Sequence, residues 1–455
     1  MKKFVTFIIV IALAAGAMGK GPKYIFYFIG DGMGPSHVLG TELFLGEKDG
    51  KIGRPTPLCF TQFPHSAFVT TFSASNGVTD SAASGTALAT GHKTNNGHLG
   101  VTPDGTPVYS VAHAAKEAGY AVGVATTVCI NHATPGAFYA HSKSRNNYHD
   151  IAQDMIEADY DFYAGGDAKC SDEQREALYK KAAEHGYTIA RGYPDFIAKS
   201  GYAKKMMFYQ EQVAEEIPYA IDRSPKDLTL AQITDAAINF LPGKSKKGFF
   251  LMVEGGKIDY ASHSDDAATA FQEVLDFDAA IARAVEFYKK HKDETLIIVT
   301  ADHETGGLVL GYSGAYALNL KALENQKVSE YRLSEILRTK AMQRMPLRWE
   351  DIKAVITENT GLWSTLKPSE SEEKRMQSLF EEGESNPSKR VEKFEAIATV
   401  AKNAVNRIAL VSWASPNHSG TFVPLFAIGE DADEFHGIID NTDIPKIINR
   451  IAGYK

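Results

Sequence analysis

At 455 residues, 44% hydrophobic and 23% charged, the chain has the composition of a globular protein large enough to bury a substantial core. Its 56 acidic against 48 basic side chains leave a formal charge of −8, which argues against a basic nucleic-acid-binding surface. A small anionic substrate is not excluded, because bound cations can reverse the local charge of a site.

Lys2 and Lys3 precede an apolar run from Phe4 to Ala15, and small residues follow through Ala17 and Gly19. This order predicts a secretory signal over residues 1–19, too short to span a bilayer comfortably and cleaved near Ala17 or Gly19. The expectation is an exported protein, periplasmic or secreted, with no membrane anchor left after cleavage. Cys59, Cys129 and Cys170 make no disulfide framework. None forms a Cys-x-x-Cys pair, so no thiolate zinc site is expected, and Cys129 reads as a buried thiol.

Lys23 to Ile29 is a β-rich run that ends abruptly at Gly30-Asp31-Gly32, and Val122–Thr127, Gly248–Val253 and Leu296–Thr300 are similar. Strands alternating with helical stretches predict an α/β three-layer sandwich, with a largely parallel central sheet and helices on both faces. In such sheets sites collect beyond the carboxyl ends of the strands. Between about Tyr312 and Leu410 the spacing turns helical, around Leu333, Ile336, Ile352 and Ile356. Within this stretch Lys367 to Glu395, with Glu381, Glu382, Glu384 and Pro387, reads as a mobile, solvated loop. The expected organisation is a core over 20–311 and 411–455, interrupted by an inserted helical subdomain over 312–410.

Four stretches carry candidate chemistry, each with an ordinary alternative. Asp259-x-x-x-His263 sets a carboxylate and an imidazole on one helix face, as a metal site or a surface hydrogen bond would. Thr300-Ala301-Asp302-His303-Glu304 follows a strand, as ligands or as a turn. Asp80-Ser81 opens a small-residue helix, where anions bind but where an Asp or Ser usually only caps. Asp31 stands between glycines, and His418 lies just before the last core strand. Oxygen and nitrogen donors of this kind suit zinc, with carboxylates shared toward a harder ion such as magnesium. Gly30-x-Gly32-x-Gly34 is not a dinucleotide fingerprint, because Pro35 stands where the final glycine belongs. The Asn417-His418-Ser419 sequon reads as chance, and His65, His92 and His98 as structural or exposed.

Taken together, the chain resembles the alkaline phosphatases. The resemblance rests on Gly30-Asp31-Gly32-Met33-Gly34, Thr79-Asp80-Ser81-Ala82-Ala83-Ser84, Ala133-Thr134-Pro135, His141-x-x-x-Arg145, Glu254-Gly255-Gly256-x-Ile258-Asp259-x-x-x-His263, Thr300-Ala301-Asp302-His303 and His418. It implies hydrolysis of phosphate monoesters to alcohol and inorganic phosphate, through a phosphoserine on Ser81. It implies two Zn2+ and one Mg2+: Asp259, His263 and His418 for the first zinc, and Asp31, Asp302 and His303 for the second. Thr134 and Glu254 would complete the third site with Asp31. Arg145 would clamp the phosphate, oriented by Asp80. His132 and Tyr260 stand at positions that vary within the family, beside the third site and the substrate. An imidazole there would admit a softer third ion, and a tyrosine cannot supply the positive charge of a lysine. The insertion would shape the site entrance or a dimer interface, so a homodimer is compatible with the resemblance.

The nearest rivals fit less well. Sulfatases would need a Cys/Ser-x-Pro-x-Arg setting, whereas Ala82-Ala83-Ser84 follows Ser81. Diesterases tend to use threonine and lack the arginine clamp. An inactive phosphate-binding relative would not need the complete set of ligands and nucleophile.

Overall fold

The computed structural model describes residues 21–312, 314–343 and 347–454, so the expected signal at 1–19 lies outside the described residues. The main strands in chain order are β1 (Tyr24–Gly30), β2 (His65–Thr70), β3 (Ala121–Cys129), β4 (Phe162–Gly166), β5 (Tyr187–Arg191), β6 (Lys205–Tyr209), β7 (Phe249–Gly255) and β8 (Thr295–Thr300). They are followed by β9 (Glu304–Thr305), β10 (Leu308–Leu310), β11 (Val411–Trp413), β12 (His418–Ser419), β13 (Val423–Gly429) and β14 (Gly437–Asp440). Ten of these form one sheet in the order β14-β2-β13-β8-β1-β7-β3-β4-β6-β5. Only β13 runs antiparallel to its neighbours, β2 and β8.

The sequence of β1 shows why this sheet is covered on both sides. All seven of its residues, Tyr-Ile-Phe-Tyr-Phe-Ile-Gly, are buried, as a central parallel strand requires. Side chains alternate between faces along a strand. Phe26 and Phe28 meet Phe287 and Phe277 of the helix Ala267–Lys290. Tyr27, pointing the other way, packs on Phe138 and donates to the carbonyl of Leu88 in the helix Ser81–Thr90. The result is an α/β sandwich with helices on each face of a mostly parallel sheet.

Parallel pairing also aligns strand ends. Ile29 lies opposite Glu254 of β7 and Thr300 of β8, and Glu254 lies opposite Thr126 of β3. The residues that follow β1, β3, β7 and β8 therefore emerge at a common rim.

Between β10 and β11, which pair antiparallel, the chain forms the helices Glu330–Ala341, Trp349–Thr360, Glu370–Ser385 and Arg390–Ala409. Their apolar residues build a second cluster that also takes in Phe44 and Phe271 of the core helices. The charged stretch expected as a mobile loop is helical instead. Ser369 caps the helix Glu370–Ser385 in a reciprocal capping box with Glu372. Met376, Leu379, Phe380 and Gly383 bury one stripe, while Glu381, Glu382 and Glu384 stand around it. The density of charge hid a helical period in which only every third or fourth residue faces the core. Among the described residues, no helix is long and apolar enough to cross a membrane.

Candidate functional site

Every candidate singled out above the carboxyl rim comes to one place. Asp31 follows β1 inside a tight turn. Gly32 there has φ +75°, and a Cβ would lie 2.9 Å from the Asp259 Cα, so the Gly-Asp-Gly sequence provides both the turn and the close approach. Glu254 is the penultimate residue of β7, and the helix Lys257–His263 presents Asp259 and His263 one turn apart. Asp302 and His303 follow β8. His418 arrives from more than a hundred residues away, because β12 pairs antiparallel with β9 and sets His418 opposite Thr305.

Two donor groups stand side by side. His263 Nε2 lies 3.3 Å from Asp259 Oδ1 and 3.2 Å from His418 Nε2, and His418 Nε2 is 3.6 Å from that same oxygen. His303 Nε2 lies 3.4 Å from Asp31 Oδ1 and 3.1 Å from Asp302 Oδ2. Ligands at about 2.0–2.1 Å around a tetrahedral ion stand roughly 3.3–3.4 Å apart, close to these separations. The groups adjoin at His303, whose ring stacks on His418 with centroids 3.5 Å apart. A third group joins Asp31, His132 and Glu254.

The buried charge needs a counter-ion. Asp31, Asp302, Glu254 and Asp259 are 0, 0, 0 and 4% exposed. Both Asp31 oxygens, Asp302 Oδ2, Glu254 Oε1, Thr134 Oγ1 and His132 Nδ1 are buried without a hydrogen-bond partner. Orphaned buried acceptors of this kind are costly unless a cation satisfies them. A mixed carboxylate and imidazole set fits divalent ions such as zinc and magnesium.

Protonation follows the same electrostatics. Burial, then the charges of Asp302, Asp259 and Glu254, push the Asp31 carboxyl well up. Burial raises Glu254 to about 8. Burial also opposes ionisation of Asp259 and Asp302, but the neighbouring histidines outweigh it and hold both carboxyls low. His263 rises to about 9 through its bond to Asp259. Burial, with Arg145 beside it, lowers His132 to about 3, and burial lowers His418 to about 4.

These shifts predict how the metal-free protein responds to pH. Glu254 and His263 have folded-state values above their ordinary 4.5 and 6.5, so their stabilising protonated forms are lost as pH rises toward about 8 and 9. Asp31 acts in the same direction. His132 and His418 are lowered, so they act only below about 6.5 and do not oppose the trend above it. The drop in melting temperature on metal removal is therefore expected to widen from pH 6.5 to 9, as differential scanning fluorimetry would show. A gap that narrows over this window would contradict the assignment.

Ser81 opens the helix Ser81–Thr90 at the positive end of its dipole, with its Oγ 3.3 Å from His303 Nε2. The residue before it unites both sequence readings. Asp80 Oδ1 accepts from the Ala83 N–H at 2.9 Å as an N-cap, while Oδ2 accepts from Gly97 N–H at 3.0 Å and Arg145 Nη1 at 3.1 Å. Arg145 Nη2 is 3.1 Å from His132 Nε2, and the Tyr260 ring stands edge-on to His132 at 5.9 Å. Arg145 is thereby held by Asp80 and His132 at the side of Ser81.

Three supporting residues were given no role in the sequence reading. Thr305 donates to Asp259 and lies 3.2 Å from His303 Nδ1, bridging the two donor groups. Thr126 donates to Glu254 from the adjacent strand. Glu304 ties down the turn after β8, accepting from the N–H groups of Gly307 and Leu308 at 3.1 Å and from Ser419. The glutamate and one threonine follow directly on Asp302-His303, but nothing in their local spacing distinguishes them from turn residues. His141 instead serves the scaffold, its Nδ1 2.7 Å from the Gly100 carbonyl. All three cysteines are free, and Cys129 is buried.

A sequence model of the alkaline phosphatase family matches residues 22–181 and 171–454. The chain is 35% identical over 381 residues to alkaline phosphatase 4 of Bacillus subtilis, covering 82% of this chain and 76% of that protein. Among solved structures, it is similar to a cold-active alkaline phosphatase from the psychrophile Shewanella sp., with TM-score 0.81 and 30% identity over 95% of this chain and 100% of that one. It is also similar to a variant alkaline phosphatase of the Antarctic bacterium TAB5, a histidine-to-aspartate substitution with Mg bound in its M3 site. That likeness has TM-score 0.67 and 27% identity, over 96% of this chain and 99% of that one.

Proposed function

This chain belongs to the alkaline phosphatase family and is a phosphomonoesterase, and on that premise we propose that it works through a phosphoserine on Ser81 at a two-zinc, one-magnesium site. The observation that carries the reading is the convergence of Ser81, Arg145 and three adjoining groups of carboxylate and imidazole donors at one rim. Asp259, His263 and His418 would hold one zinc, and Asp31, Asp302 and His303 the other. Asp31, Thr134 and Glu254 would hold the third ion, with His132 close enough to admit a divalent metal other than magnesium. When bound, the metals would lower the pKa of the Ser81 hydroxyl and offset the charge on the departing oxygen.

The residues of the chain do the rest. Ser81 Oγ attacks phosphorus, forming the Oγ–P bond as the bond from phosphorus to the alcohol oxygen breaks, and the alcohol leaves. Water then attacks the phosphoserine from the vacated side, the Oγ–P bond breaks, and inorganic phosphate leaves with the Ser81 hydroxyl restored. Throughout, Arg145 offers two parallel N–H groups to the phosphate oxygens, a match that lysine cannot make. Asp80 fixes its guanidinium at 3.1 Å, so little side-chain freedom is lost on binding. Asp80 and the helix start at Ser81 thus act as one unit.

The test is a rapid acid quench with labelled aryl phosphate and peptide mapping, in which the label is expected on Ser81. Label on another residue, or burst-free turnover with none, would overturn the covalent route. Arg145→Ala is expected to lower kcat/KM by about 10²-fold and weaken inhibition by inorganic phosphate, with metal content retained. Loss of metal from this variant would place Arg145 in the metal scaffold instead. The reading also takes 20–311 and 411–455 as the catalytic core, 312–410 as the inserted subdomain, and residues 1–19 as an export signal to the periplasm or medium.

A further inference from the structure

We propose that the cleft beyond Tyr260 is the leaving-group subsite of this enzyme, and that it receives the aromatic, neutral or cationic alcohol portion of a phosphate monoester. The proposal rests on the reading of Ser81 and Arg145 as the phosphate site. From that site the path outward is short: Arg145 meets His132, and the Tyr260 ring stands edge-on to His132. Tyr260 also lines a cleft of about 790 Å³. A small alkyl alcohol would fill a minor part of such a space, which suits a ligand the size of a substituted ring or larger.

The walls specify the chemistry. Tyr219, Tyr260 and Tyr331 present three aromatic rings, and Ile217 and Pro218 add apolar surface. Tyr331 comes from the first helix of the inserted segment and is 60% exposed, so this ring can meet a ligand without core rearrangement. Flat rings of this kind favour an aromatic partner in offset or edge-to-face contact.

The lining carries five carboxylates against two cations, Lys257 and Arg332. Both cations are already engaged: Lys257 Nζ lies 2.6 Å from Glu216 and 3.9 Å from the Tyr219 ring centre, and Arg332 Nη1 lies 3.1 Å from Glu335. The cleft therefore stays acidic. A leaving group bearing a carboxylate or further phosphates meets like charge there, whereas a neutral or cationic ring does not. The phosphate itself is received by Arg145, next to His132, whereas the alcohol portion meets the acidic cleft that Tyr260 lines, so the two halves of the substrate face environments of opposite demand.

The test compares kcat/KM, which includes every step through departure of the alcohol, for the metal-loaded enzyme on three esters. These are phenyl phosphate, its ring-carboxylated analogue and glycerol phosphate. Ratios between variant and wild type cancel the intrinsic reactivity of each ester. Tyr331→Ala is expected to lower the phenyl-to-glycerol ratio about fivefold, the scale of one lost ring contact. Glu215→Lys is expected to raise the carboxylated-to-phenyl ratio about tenfold, by reversing one like-charge contact. Both ratios unchanged, in variants that still hydrolyse all three esters, would overturn the subsite alone. No hydrolysis of any ester by fully loaded wild type would overturn the phosphatase reading, and the subsite with it.

Discussion

Ser81→Ala is expected to lower turnover of an aryl phosphate by about 10³-fold or more while the bound metal content stays at the wild-type value. The hydroxyl lies 3.3 Å from His303 Nε2 and its residue is 2% exposed, so alanine removes one oxygen from a dry site without opening the scaffold. The Asp80 cap on the Ala83 N–H does not involve the Ser81 side chain, and the helix should keep its start. Residual activity would come from direct attack of water on an ester still held by Arg145. Elemental analysis of the purified variant beside its rate separates loss of the nucleophile from loss of the site. A variant nearly as fast as wild type would exclude a covalent route through Ser81.

Removal of the metals is the second large effect, and the expected result is near-complete loss of monoesterase activity. Zinc should restore most of it, and magnesium added afterwards the remainder. On the proposed reading a dianionic ester binds among four buried carboxylates, with Arg145 as the nearby guanidinium. Without bound cations the cluster repels its substrate, and no group is left to activate the serine. Chelation followed by stepwise addition, with aryl phosphate hydrolysis measured at alkaline pH, reads this directly. Activity that survives exhaustive chelation would show that the orphaned oxygens of Asp31, Asp302 and Glu254 serve some other purpose.

How much of this was legible in the sequence depends on how local each feature is. The buried strand β1 could be read from an unbroken apolar run, because a central parallel strand must satisfy both faces. The Asp259–His263 pair could be placed on one face because helical geometry sets residues four apart together. The Gly30-Asp31-Gly32 turn was legible because only glycine adopts that backbone without strain while Asp259 approaches it. Ser81 was visible as a helix start, but the choice between cap and nucleophile was not. In the structure Asp80 is the cap and Ser81 Oγ is the hydroxyl left beside His303, a division of labour that spacing alone does not reveal.

The inserted segment shows the opposite case. Its acidic run suggested a solvated loop, because charge is read residue by residue whereas the buried stripe of Met376, Leu379 and Phe380 has meaning only against a partner surface. Strands, turns and the chemical inventory of the site are written locally, since they depend on backbone sterics and on residues a few positions apart. Which of those residues meet is set by the folded chain. His418 reaches Asp259 through the pairing of β12 with β9, Arg145 reaches Asp80 across 65 residues, and Tyr331 reaches the Tyr260 cleft from the insertion. Such contacts are fixed by sheet register and by the closure of one apolar surface on another, which depend on the whole chain at once.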